Sequence, residues 1–189
     1  MKILGINFSA RTNGNCGKSL QFCLDIYKKG NHETTLINLS EEIVEPCGNC
    51  NYNCFHADCI KVDNFNEIYS SMLRADIILF AIPTYCGNLS SSYFILSERS
   101  QGFYNHSDHN EDDILKKINL IIVGNPSSGG DMSLHESLYS FNNRNYFPEA
   151  LLLSSTEYSR RSILGDLVEE NEIRNRLTRF SDKVISKYK

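Results

Sequence analysis

Four apolar runs, at residues 3–8, 76–82, 120–123 and 150–153, do most to limit what this chain can fold into. They are short, rich in Ile, Leu and Val, and bounded by turn residues. They do not alternate with polar residues. A strand with one wet face alternates, whereas a strand covered on both faces reads as a continuous apolar run. These runs therefore predict strands inside a sheet that carries helices on each side. Residues 34–39 form a weaker strand candidate, nearer an edge.

Between the runs the apolar spacing becomes helical. Leu20, Cys23, Leu24 and Tyr27 share one face, and Phe65, Ile68, Tyr69 and Met72 share another, with Asp63 or Asn64 placed to cap. Helices are also predicted over 91–99 and near 134–141. The clearest is the last, where Ile163, Leu167, Leu177, Phe180, Val184 and Tyr188 make an apolar stripe on a charged helix. Strands alternating with helices imply right-handed βαβ units and a parallel sheet. The 189 residues are expected to form one α/β domain over residues 1–189, with no internal repeat or linker. The expected architecture is a flavodoxin-like doubly wound five-stranded parallel sheet in three layers, α/β/α, with strand order 2-1-3-4-5. The polar stretch 101–113 reads as a surface loop, solvated or serving as a lid.

Charge and hydropathy exclude some partners. A net charge of −4 gives no reason to expect nucleic acid, and the pairs Lys28-Lys29 and Arg160-Arg161 read as solvated ends. The apolar runs are too short to span a bilayer, so no membrane is expected. Met1 leads directly into the first run without a targeting pattern, so a cytoplasmic location is the expectation. There the seven cysteines would be thiols, metal ligands or redox groups rather than structural disulfides.

In such a sheet, ligands bind beyond the carboxyl ends of the strands. Three loops leave those ends. The first holds Ser9, Arg11, Asn13, Gly14, Asn15 and Cys16 ahead of a helix, where backbone amides and the helix dipole favour an anion. It has neither P-loop nor G-x-G-x-x-G spacing. The second holds Pro83, Thr84, Tyr85, Cys86, Gly87 and Asn88; Pro83 is expected to stop its strand. The third is glycine-rich and holds Asn125, Ser127 and Gly129. Each alone reads equally well as a polar turn. Their convergence on one sheet edge is what predicts a phosphate and a planar ring.

With these residues in view, the chain resembles the NAD(P)H-dependent FMN reductase branch of the flavodoxin-like proteins. Ser9-Ala10-Arg11 with Gly14-Asn15 resembles the family's phosphate loop S-x-R-x-x-G-N-[ST], with Cys16 replacing the final hydroxyl; a thiol is a poorer donor. Pro83, Tyr85, Gly87, Asn88 and Ser90 match its P-x-Y-x-G-N-x-S segment, and Arg99 matches the arginine ending the next helix. Glu98 stands where the family usually has aspartate, and Phe94 where it often has lysine. The resemblance covers residues 2–153. It implies FMN held by the three loops, NAD(P)H as co-substrate, a small-molecule electron acceptor such as a quinone or flavin, and a homo-oligomer. The flavin supplies the chemistry, so no catalytic side chain is nominated.

Cys47, Cys50, Cys54 and Cys59 form a C-x2-C-x3-C-x4-C run. Three readings stay open: a [4Fe–4S] cluster, zinc, or free redox-active thiols. His56 is a substitute ligand or merely solvated. Iron–sulfur flavoproteins resembling this chain carry a similar run, usually with two residues between the second and third cysteines, where this chain has three. Cys23 reads as core and Cys86 as packing in the flavin loop. Beside the reductase reading stand an iron–sulfur flavoprotein or flavodoxin-like electron carrier, served by a ferredoxin-type partner, and a flavin-free module on the same fold.

Overall fold

The computed structural model describes residues 1–57, 59–106, 111–142 and 144–188, with the backbone alone for 103–106. Its parallel strands are β1 (Lys2–Asn7), β2 (Glu33–Asn38), β3 (Ile77–Tyr85), β5 (Ile118–Val123) and β6 (Ala150–Leu153). They lie in the order β2-β1-β3-β5-β6, with a short β4 (Asn88–Leu89) folded back antiparallel on β3. Leaving β4 aside, this is the expected 2-1-3-4-5 order.

The apolar runs are continuous because both faces of the sheet are covered. In β3, Ile77, Leu79 and Ala81 face one core, while Ile78, Phe80 and Ile82 face the other. The first core is closed by α1 (Asn15–Lys29) and α6 (Asn171–Ser186). The second is closed by α2 (Phe65–Arg74), α3 (Ser91–His106), α4 (Asp112–Leu115) and α5 (Gly130–Tyr139). Leu20, Cys23, Leu24 and Tyr27 of α1 are all buried, and burial pushes the Cys23 thiol up to about 12. No helix among the described residues is long and apolar enough to cross a membrane.

Several local expectations are corrected. Pro83 does not end β3, which runs to Tyr85. Pro83 sits at the end of the parallel ladder, opposite Val123, where a missing N–H is tolerated; Thr84 and Tyr85 then pair with β4. Helix α3 passes Arg99 and continues to His106, so residues 101–106 are helix rather than loop. Polar residues give no apolar periodicity, which hid these turns. Of that stretch, residues 107–110 lie outside the described residues. Ile163 and Leu167 precede α6 in short 3-10 turns, with Gly165 at φ +67° turning the chain between them. Leu167 is buried and Ile163 exposed. At the start of α2, Asp63 rather than Asn64 accepts the Phe65 amide, at 3.1 Å.

Candidate functional site

The turn after β1 is shaped by its own side chains. Asn7, buried at the strand end, donates to Asn38 Oδ1 at 3.0 Å and accepts the Ser9 amide at 3.1 Å. Ser9 Oγ then accepts the Arg11 amide at 3.1 Å. The Gly14 amide donates to the Arg11 carbonyl at 3.2 Å, and no side chain caps α1. The first amides of α1 are thus left without a side-chain acceptor, as an anion seat requires. A Cβ on Gly17 would run into the Thr12 carbonyl, so only glycine lets the turn fold onto the helix. Asn13 is exposed. Cys16 contributes a backbone position but not a thiol donor: its side chain lies in the core with Ile3 and Leu20, and burial pushes the thiol up.

The second and third loops meet. Cys86 (φ +50°) and Gly87 (φ +85°) form a tight two-residue hairpin of the kind that needs both central residues at positive φ. The Gly87 amide donates to the Ser128 carbonyl at 3.1 Å. A Cβ on Gly129 would stand 2.6 Å from Gly87 Cα, so the contact requires glycine at 129, while a Cβ on Gly87 would meet nothing and its positive φ is what favours glycine there. Tyr85, Cys86 and Asn88 are exposed beside it, as is Ser127. Cys86 therefore does not pack inside the loop, as expected, but turns it. Thr84 Oγ1 is buried without a hydrogen-bond partner where Thr84 meets Gly124.

A fourth segment, residues 154–167, closes over the first and third loops. Arg11 donates to the carbonyls of Ser162 (3.0 Å) and Ile163 (2.6 Å). Asn15 accepts the Leu167 amide at 3.1 Å and donates to Ser155 Oγ at 3.3 Å. Asn125 accepts from Ser154 Oγ and the Thr156 amide, and donates to Ser162 Oγ. Three residues expected at a ligand thus anchor a loop that the sequence reading missed. The signal was present in Ser154-Ser155-Thr156, a hydroxyl run leaving the carboxyl end of β6.

The cysteine run leaves the carboxyl end of β2 and packs along α3. Cys47, Cys50, Cys54 and Cys59 all line one cleft of about 530 Å³, walled by Glu98, Arg99 and Gly102. The Cys47 amide donates to Glu98 Oε1 at 2.7 Å, and burial and Glu98 raise the Cys47 thiol above its usual range. A Cβ on Gly102 would stand 3.2 Å from Cys54 Cβ. His56 is exposed. Among the described residues no three His, Cys, Asp or Glu side chains stand at single-ion distances. At about 1.5 Å per residue, Glu98 and Gly102 lie roughly 10 and 16 Å down α3 from Ser91. The cleft therefore flanks α3 and does not sit on the loops above it.

The sequence profile of the NADPH-dependent FMN reductases matches residues 1–145. The chain belongs to that family. Two curated relatives are iron–sulfur flavoproteins. One, from Methanosarcina thermophila, is 39% identical over 101 residues, 53% of this chain and 52% of that protein. Another, from Methanocaldococcus jannaschii, is 28% identical over 145 residues, 75% of this chain and 71% of its own length. The match thus spans about half the length of the first. The structure is also similar to an FMN-dependent NADH-azoreductase from Bacillus anthracis, solved in complex with FMN. That TM-score is 0.61 at 12% identity, covering 100% of both chains. At this identity the likeness speaks for the flavodoxin-like fold, as the reductase family membership does for residues 1–145.

Proposed function

We propose that the chain is an FMN-dependent NAD(P)H oxidoreductase that passes electrons to a small acceptor such as a quinone or a flavin. The observation that carries this is the convergence of an uncapped helix start with two glycine-built loops at one sheet edge. The orphaned Thr84 Oγ1 fits a partner at that edge, since a buried hydroxyl left unpaired is costly. FMN, when bound, supplies two-electron transfer between nicotinamide and acceptor. In this reading Ser9, Arg11, Asn13, Gly14, Asn15 and the Cys16 backbone take the phosphate. Arg11 reaches it from its latch on Ser162 and Ile163. Pro83, Thr84, Tyr85, Cys86, Gly87 and Asn88 line one edge of the ring, with Asn125, Ser127 and Gly129 at the other. A homo-oligomer belongs to the same reading.

A second reading is favoured by the four cysteines sharing one cleft: an iron–sulfur flavoprotein that exchanges electrons with a ferredoxin-type partner. The donor set suits a [4Fe–4S] cluster, which takes four cysteine thiolates. An absorbance spectrum of anaerobically purified protein, with iron and zinc counted, separates the two readings, together with turnover on NADPH alone.

The test of the flavin is fluorescence titration with FMN and FAD. One phosphate-type turn without a second nucleotide motif is expected to give tighter binding of FMN. Tighter binding of FAD, or of neither, would sink the proposal.

A further inference from the structure

Residues 46–62 leave the body of the fold and return to it through a narrow neck. Ile43 and Asn64 join across it: the Asn64 amide donates to the Ile43 carbonyl at 2.8 Å, and the Ile43 amide to Asn64 Oδ1 at 3.0 Å. One turn further in lies a buried ion pair. Arg99 Nη1 donates to Asp63 Oδ2 (2.5 Å) and to the Glu45 carbonyl (2.7 Å), while Nη2 donates to Asp63 Oδ1 (3.1 Å). Asp63 Oδ2 also accepts the Glu45 amide at 3.0 Å. The side chains of Arg99 and Asp63 are 1% and 2% exposed. Glu45 stands just before Cys47 and Asp63 just after Cys59, so one guanidinium fastens both ends of the segment that carries all four cysteines.

Arg99 does more than close the neck. It lines the cysteine cleft, and its guanidinium lies 4.7 Å from the centre of the Phe65 ring, which holds it in place. Its buried Nε has no hydrogen-bond partner. Four thiolates around one divalent ion carry a net charge of about −2. Such a group needs counter-charge where water is thin. Among the described lining residues, Lys61 is paired with Glu45 at 2.7 Å, and Glu98 adds negative charge. Arg99 is itself paired with Asp63, and what it has left over is a buried N–H donor at Nε.

We propose that Arg99 is the positioning residue of the cysteine segment, locking its neck and setting a free, buried N–H against a metal–thiolate centre held by Cys47, Cys50, Cys54 and Cys59. This rests on reading the four cysteines as one ligand set, though not on which metal they hold. Arginine suits the task because its planar fork grips a carboxylate with two nitrogens while the third stays available.

The test is anaerobic titration of metal-free protein with Co²⁺, followed by thiolate-to-cobalt absorption. The wild type is expected to bind one Co²⁺ per chain. Arg99→Lys keeps a charge but loses the fork, and is expected to bind at least tenfold more weakly. Arg99→Met combined with Asp63→Asn avoids stranding a buried carboxylate, and is expected to bind more weakly still. FMN affinity should stay within twofold in both. In iron-loaded protein the neutral pair is expected to move the reduction potential to more negative values, because it removes an N–H donor that favours the reduced, more anionic centre while leaving the net charge of the pair unchanged; a merely structural role would leave it unmoved. Wild-type Co²⁺ affinity or an unchanged potential in the neutral pair overturns the proposal, and so does a wild type that binds no Co²⁺. A wild type that binds Co²⁺ but never assembles iron and sulfide retires the iron–sulfur reading and leaves the role of Arg99 standing.

Discussion

Gly17 is a position of close approach, and what it admits is the protein's own Thr12 carbonyl. The same turn explains Cys16. A thiol in the place of a hydroxyl reads as a weak donor, yet its side chain belongs to the core beneath α1, which leaves the Cys16 backbone alone for the proposed anion seat. Side-chain chemistry is visible in a sequence, but which way a helix's second residue points is set by packing. Gly17→Ala is therefore expected to damage the turn itself. Overpacking of this kind costs roughly 1–3 kcal/mol, and the relief available is a shift of the amides that would meet the phosphate. Urea unfolding and FMN titration on the same variant check this. A variant with wild-type stability and affinity would show that the Thr12 carbonyl moves aside freely.

At the scale of elements, buried strands and amphipathic helices were read well because both faces of the sheet, and one face of α1, α2 and α6, are apolar. What escaped was polar structure: the last turns of α3, the hairpin after Pro83, and the neck below the cysteines. The neck is held by Asp63, which the sequence offered only as a helix cap. Burial opposes the Asp63 carboxylate, but hydrogen bonds from Arg99 and from the Glu45 and Phe65 amides outweigh it and hold the group down to about 2. A carboxyl that titrates near 3.9 when unfolded and near 2 when folded stabilises the native state above pH 4. That stabilisation, on the order of 2 kcal/mol, is lost as pH falls through 2. Asp63→Asn strands the Arg99 charge and is expected to cost about 3–5 kcal/mol at pH 7. The gap between variant and wild type should then narrow by about 2 kcal/mol between pH 4 and pH 2. Denaturation curves across that range give the answer, and a gap of constant size would mean that Asp63 does not carry the linkage.

The whole molecule places two candidate sites on one frame. The proposed flavin edge is built from loops that leave β1, β3, β5 and β6, and it is bolted by Arg11, Asn15 and Asn125 to residues 154–167. The cysteine cleft is built on the excursion from β2 and braced against the middle of α3. Both were legible as loops at the carboxyl ends of strands; their separation was not, because it depends on how far α3 runs and where the neck docks. Arg11 is held by the Ser162 and Ile163 carbonyls, and Arg99 by Asp63 and the Glu45 carbonyl, so the two cations share no partner. Residues without shared partners, set further apart than about 7–10 Å, contribute additively within roughly 0.5 kcal/mol. A double-mutant cycle on FMN affinity follows from this. Arg11→Ala removes a charge-assisted contact and is expected to weaken FMN by about tenfold or more, from a loss of roughly 1.5–3 kcal/mol. Arg99→Lys is expected to leave FMN affinity within twofold, alone or in the Arg11→Ala background. Fluorescence titration of the four apoproteins measures the cycle. A coupling energy above about 1 kcal/mol would mean that the cysteine segment reaches the flavin loops, and that the two sites work as one.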